Sequence, residues 1–129
     1  QYTGYKNLCM LASLRSDIDK EAVAEAMRRV QLDPEDKRVY RKYSLGMKQK
    51  LGIANAIMGE PDIIVLDEPI NALDEASVEQ VKKVLVDLRE RDHLIIIACH
   101  DREELEYLSD EIIEIKDGTV VRKQKEGVA

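Results

Sequence analysis

Two adjacent carboxylates, Asp67 and Glu68, stand directly after four aliphatics, Ile63-Ile64-Val65-Leu66, and directly before Pro69. Paired acids at the end of an apolar strand can hold a hard cation such as Mg²⁺ with one carboxylate and activate a water with the other, as phosphoryl transfer requires. His100 closes a second apolar run, Leu94 to Cys99. Beside two acids, its imidazole could hydrogen-bond a phosphate oxygen or the attacking water. A third stretch, Tyr43-Ser44-Leu45-Gly46-Met47-Lys48-Gln49-Lys50, puts a hydroxyl and a glycine at the start of a helical pattern. Free backbone N–H groups and the positive dipole end attract anions there. Each stretch alone also has a plain structural reading: acids and a proline that end a strand, a serine that caps a helix, a histidine at a strand end.

The elements that must position these residues can be read from spacing. Four mostly β-branched aliphatics favour a strand covered on both faces, as parallel strands are. Thr3 can cap a helix carrying Tyr5, Leu8, Leu11 and Ala12, and Asp19 a second one carrying Ala22, Val23, Ala26, Met27 and Val30 before Leu32-Asp33-Pro34 stops it. Ser44 caps a third, with Leu51, Ala54, Ile57 and Met58 at helical spacing up to Gly59. Pro61 then leads into the strand ending at Asp67. A long helix, Glu75 to Arg91, capped by Asp74 and bearing Val78, Val81, Leu85 and Leu88, separates it from the strand Leu94 to Ala98. This is a βαβ unit, so its strands should be parallel, with His100 on the same sheet edge as Asp67 and Glu68. A short helix, Arg102 to Leu108, precedes runs at Glu111 to Lys116 and Thr119 to Lys123, joined by Asp117-Gly118, a hairpin signal. His93 falls in a charged turn without an assigned role.

With 129 residues, 44% of them hydrophobic, the chain can bury one core. A net charge of -6 argues against a nucleic-acid surface, although Lys37, Arg38, Arg41, Lys42, Lys48 and Lys50 form a local basic run around Tyr40 and Tyr43. The two cysteines, Cys9 and Cys99, lie far apart and suggest a reducing compartment, Cys99 with a buried thiol. No apolar run approaches the roughly 18 residues that cross a bilayer. The chain opens on Gln1 rather than Met and is expected to be a piece of something longer.

Together these motifs resemble the ATP-binding-cassette (ABC) ATPases. The run from Tyr43 is similar to their signature motif, usually written LSGGQ; Ile63 to Asp67 with Glu68 resembles Walker B; Asn71-Ala72-Leu73-Asp74 resembles the D-loop and His100 the switch histidine. Tyr2-Thr3-Gly4-Tyr5-Lys6-Asn7-Leu8 is similar to the entry of the helical subdomain in ABC-2 type exporters. The resemblance implies an α/β fold: part of a P-loop NTPase of ABC type, with a helical subdomain (1–60) followed by a parallel βαβ core and a C-terminal β-hairpin (61–129).

It also implies roles. Asp67 would bind Mg²⁺, Glu68 would orient or deprotonate the attacking water, and His100 would contact the γ-phosphate. Ser44, Gly46 and Met47 would address ATP held by an opposite subunit, with Asp74 communicating between subunits. The implied partners are a transmembrane permease and a second nucleotide-binding domain, as homo- or heterodimer, with no nucleic acid; the location is the inner face of the cell membrane. Leu45 and Met47 depart from the consensus glycine and glutamine, and Ile70 and Glu75 stand where Thr and Pro are common. No G-x-x-x-x-G-K-S/T loop occurs and no glutamine loop is found, so most of the binding free energy for a triphosphate is missing. The chain alone is expected not to hydrolyse ATP, and an uncovered apolar face is expected to favour association between copies. The contrasting classes are a soluble ABC protein acting on ribosomes or DNA and a non-catalytic module.

Overall fold

A computed structural model describes residues 2–125. Three helices lead: α1 (Gly4–Ala12), α2 (Lys20–Arg29) and, after a 3-10 turn at Tyr40–Lys42, α3 (Leu45–Ile57). Their caps stand where the sequence puts them. Thr3 Oγ accepts from the Lys6 N–H, Asp19 from Ala22 and Ser44 from Met47, each satisfying a first-turn donor with no partner inside the helix. The chain then forms β1 (Ile63–Asp67), α4 (Glu75–Glu90), β2 (Leu94–Ala98), α5 (Arg102–Leu108), β3 (Glu111–Lys116) and β4 (Thr119–Lys125).

β1 and β2 pair in parallel, from Ile63 opposite Leu94 to Asp67 opposite Ala98, as the βαβ pattern requires. β3 and β4 are antiparallel, with a register shift between Glu114 and Ile115. Asp117 (φ 53°) and Gly118 (φ 77°) form the turn between them; two successive positive φ values are what a two-residue hairpin with the correct twist demands.

One apolar cluster joins the helices to the sheet. Leu8, Val23, Met27 and Val30 meet Ile53, Ala54, Ile57 and Met58 of the α3 region, and these continue into Ile64, Leu66, Val81, Leu85 and Leu88. Met27, Ala54 and Leu88 are completely buried. Burial at this scale, worth roughly 1.5–3 kcal/mol per large aliphatic, fixes the orientation of α3 relative to β1. Outside the core, Arg29 pairs with Asp87 at 2.9 Å and Gln80 Nε2 donates to the Arg29 carbonyl, tying α2 to α4. His93 Nδ1 lies 2.8 Å from the Pro61 carbonyl, which joins the entries of the two strands.

The structure corrects three expectations. β1 is covered on one face only: Ile64 and Leu66 are buried, whereas Ile63 and Val65 are 58% and 62% exposed, as are Leu94 and Ile96 of β2 at 56% and 47%. Among the described residues every packed helix lies on the Ile64 side, so the second apolar face has no partner. Leu11 is exposed, because the buried stripe of α1 runs through Gly4, Leu8 and Ala12 and leaves Leu11 at its margin. Cys99 is only partly buried; both cysteines are free.

Candidate functional site

The carboxyl ends of β1 and β2 carry the acids and the imidazole together. Strand pairing continues one residue past Asp67, with the Glu68 N–H donating to the Ala98 carbonyl at 2.8 Å. Glu68 then turns left-handed, at φ 47°, a region that non-glycine residues seldom occupy and that recurs at functional positions. Its Oε1 lies 2.6 Å from His100 Nδ1 and accepts the His100 backbone N–H at 3.1 Å. The imidazole is otherwise in solvent, and Asp67 is exposed at the same edge.

Each partner shifts the other. The hydrogen bond from His100, supported by weaker contributions from Cys99 and the His100 N–H, holds the Glu68 carboxyl below the usual range. The same bond and the Glu68 charge, with a smaller contribution from Asp67, hold the imidazole above its ordinary value. Beside them, burial pushes the Cys99 thiol up to about 11, and its Sγ donates to Glu104 Oε2 at 3.2 Å. One ligand atom each from Glu68, Cys99 and Glu104 lies within 4.8 Å of the others.

The start of α3 forms the neighbouring cluster. Ser44 Oγ accepts the Met47 N–H at 3.1 Å, leaving the exposed hydroxyl proton for another acceptor. Gly46 is set against the segment after β1: a Cβ there would come within 3.1 Å of the Ala72 carbonyl. Met47 Sδ accepts from Arg38 Nη1 at 3.5 Å. Asp74 caps α4 through the Ser77 N–H at 2.8 Å, and the Ser77 hydroxyl and N–H hold its carboxyl below the usual range, with help from Lys50.

Thus Asp67, Glu68 and His100 share the strand edge, and Ser44, Gly46 and Met47 share the helix start. Asp74 closes the segment against which Gly46 packs. A contact that sequence spacing does not disclose joins the clusters: Gln49 Nε2 donates to the Glu68 carbonyl at 2.6 Å. No local signal pairs residues 19 positions apart across two elements.

The donor chemistry fits half of a nucleotide site. An exposed carboxylate suits Mg²⁺, which keeps several waters and takes few protein ligands, and a helix start with free N–H groups suits a phosphate. A cradle for the remaining phosphates is absent from this sequence.

A helical arm packed on a βαβ unit with acids at its carboxyl edge is an arrangement shared with solved nucleotide-binding cassettes. The fold matches the ATP-binding cassette MJ0796 in a dimeric structure of a post-hydrolysis state bound to ADP and Pi, with a TM-score of 0.82 and 23% identity over 96% of this chain and 56% of that one. It also matches cbiO1 from Clostridium perfringens, part of the ABC transporter complex cbiONQ, with a TM-score of 0.75 and 25% identity over 96% of this chain and 51% of that one.

The sequence profile described as ABC transporter matches residues 1–71, more than half of the chain, and the chain belongs to that family. It is 43% identical to the bacitracin transport ATP-binding protein BcrA of Enterococcus faecalis over 94% of this chain and 40% of the relative. The lantibiotic transport ATP-binding protein SrtF of Streptococcus pyogenes is 28% identical, over 95% of this chain and 53% of the relative. The chain thus spans about half the length of the relatives it matches. Among the described residues no helix is long and apolar enough to cross a membrane.

Proposed function

We propose that this chain is the helical subdomain (1–60) and the second half of the catalytic core (61–129) of a cassette that binds and hydrolyses ATP to drive a membrane transporter. The observation that carries the reading is the Glu68–His100 contact at 2.6 Å, made at the strand edge where Asp67 is exposed. Phosphoryl transfer asks for positioning and charge stabilisation, and these groups offer both. In this reading Asp67 holds Mg²⁺ through water, Glu68 orients the attacking water and His100 contacts the γ-phosphate. Ser44, Gly46 and Met47 address ATP bound by a second nucleotide-binding domain, and Asp74 supports the loop between the two sites.

Attachment to the inner face of the cell membrane would run through a permease that contacts the helical subdomain. Cargo is selected by that partner, so the names of the relatives, bacitracin and lantibiotic transport, supply the first cargoes to try. Lacking a phosphate loop, the 129-residue chain is inactive alone.

The test compares Mg-ATP binding and turnover by this chain and by a polypeptide extended through the upstream coding sequence. Turnover only in the extended protein, lost in Glu68→Gln with binding retained, is the expected result. Hydrolysis by the short chain unaided would sink the reading. Co-purification of the extended protein with ribosomes instead of membranes would redirect it toward a soluble ABC protein.

A further inference from the structure

We propose that Gln49 is a positioning residue: by donating to the Glu68 carbonyl it holds Glu68 in the left-handed conformation that delivers its carboxylate to His100, and so ties the start of α3 to the acid. Three kinds of observation converge on the backbone of Glu68. The Gln49 Nε2 to Glu68 carbonyl distance is 2.6 Å, in a part-buried setting. The Glu68 N–H is fixed to the Ala98 carbonyl at 2.8 Å, and φ at Glu68 is 47°. On the other side of Glu68 the Asn71 N–H reaches the same carbonyl only at 3.3 Å, so the amide of Gln49 is the shorter of two restraints on it.

A non-glycine residue in this region costs of order 1–3 kcal/mol and persists only where its surroundings over-determine it. Without the amide, the carbonyl keeps one long bond, and Glu68 is held only by its N–H, the buried Pro69 and its own bonds to His100, a looser restraint on where the carboxylate points. The amide lies on α3, five residues after the Ser44 cap, and Gly46 lies close against the Ala72 carbonyl, so the start of α3 meets the segment from Glu68 to Ala72 at two points, one of them at Glu68 itself. Under the function proposed above, this links the part of the chain that addresses one nucleotide to the acid that serves another.

The local claim does not depend on that function and is tested on the 129-residue chain. The readout is the NMR titration of His100, on which Glu68 and Asp67 act, Glu68 in turn lying beside Cys99 and Glu104. Glu68→Gln defines how far the imidazole pKa falls when the carboxylate is gone. Gln49→Met, of equal length without a donor, should move His100 over at least half of that interval, while the urea midpoint records whether the fold is intact. Where the Met variant is too unstable to titrate, Gln49→Asn, one methylene short of the carbonyl, gives the same reading. A His100 titration unchanged by either folded variant overturns the proposal. In the extended polypeptide the loss should fall on kcat, on the order of 10- to 100-fold as for a misplaced catalytic group, with KM for ATP unchanged. His100 shifted in the short chain but turnover intact in the extended one would retain the positioning role and reject the proposed function of Glu68.

Discussion

At the scale of single residues, the Glu68–His100 pair has a defined pH window. Glu68 is held below its usual range, so its contribution to stability is present above the unfolded carboxyl pKa and is lost as pH falls through the folded value. His100 is held above its ordinary value, so its contribution is complete below the unfolded imidazole pKa, about 6.5, and is lost as pH rises through the folded value. Both conditions hold between the carboxyl range and that imidazole value. The urea midpoint of the wild-type chain should therefore exceed that of His100→Gln most within this window, and the two curves should converge on both sides. The imidazole is fully exposed, so added salt should shrink the difference. A gap that persists unchanged to alkaline pH would show that His100 stabilises through a hydrogen bond from its neutral Nδ1–H rather than by charge. The adjacency itself was legible in the sequence, because a βαβ crossover puts both strand ends on one edge. The left-handed turn at Glu68 and the amide of Gln49 were not, since both are consequences of tertiary contacts.

At the scale of elements, local chemistry decided where helices begin. Thr3, Asp19, Ser44 and Asp74 each accept a backbone N–H three residues on, and all four are short polar side chains ahead of apolar periodicity. What the pattern could not convey is how the caps are used beyond their own helix. Ser44 holds α3 and also exposes its hydroxyl two residues before Gly46, which lies against the segment that ends in Asp74, the cap of α4. Removing it separates the two duties. Ser44→Ala should cost about 1 kcal/mol through the lost bond to Met47, read as a lower urea midpoint. Ser44→Asp should restore stability, because an acid is an equally good cap and favours the positive helix end. In the extended polypeptide, however, Ser44→Asp should abolish ATP turnover by setting a negative charge where the proposed function puts a phosphate. If Ser44→Asp stayed fully active, the hydroxyl would be a cap and nothing more.

At the scale of the whole molecule, the sequence described a larger object than the chain. The run Ile63 to Leu66 has the apolar continuity of a parallel strand buried on both sides. The structure covers one side, leaving Ile63, Val65, Leu94 and Ile96 exposed in a sheet that has no third strand among the described residues. Local composition encodes the finished layer; the chain spans about half the length of its relatives. Such a face is unusual on a monomer, and unpaired parallel edges invite strand addition. The sedimentation coefficient of the 129-residue chain should rise with protein concentration. Val65→Thr with Ile96→Thr should weaken that rise while leaving the buried Ile64 and Leu66 face, and hence the helical signal, intact. In the extended polypeptide the same pair should act in the opposite sense, leaving self-association unaffected but lowering stability, because the two side chains would then be buried. A short chain that sediments as one compact monomer at all concentrations would mean that solvent is the natural environment of this face, and the reading of β1 as one strand of a larger sheet would lose its support.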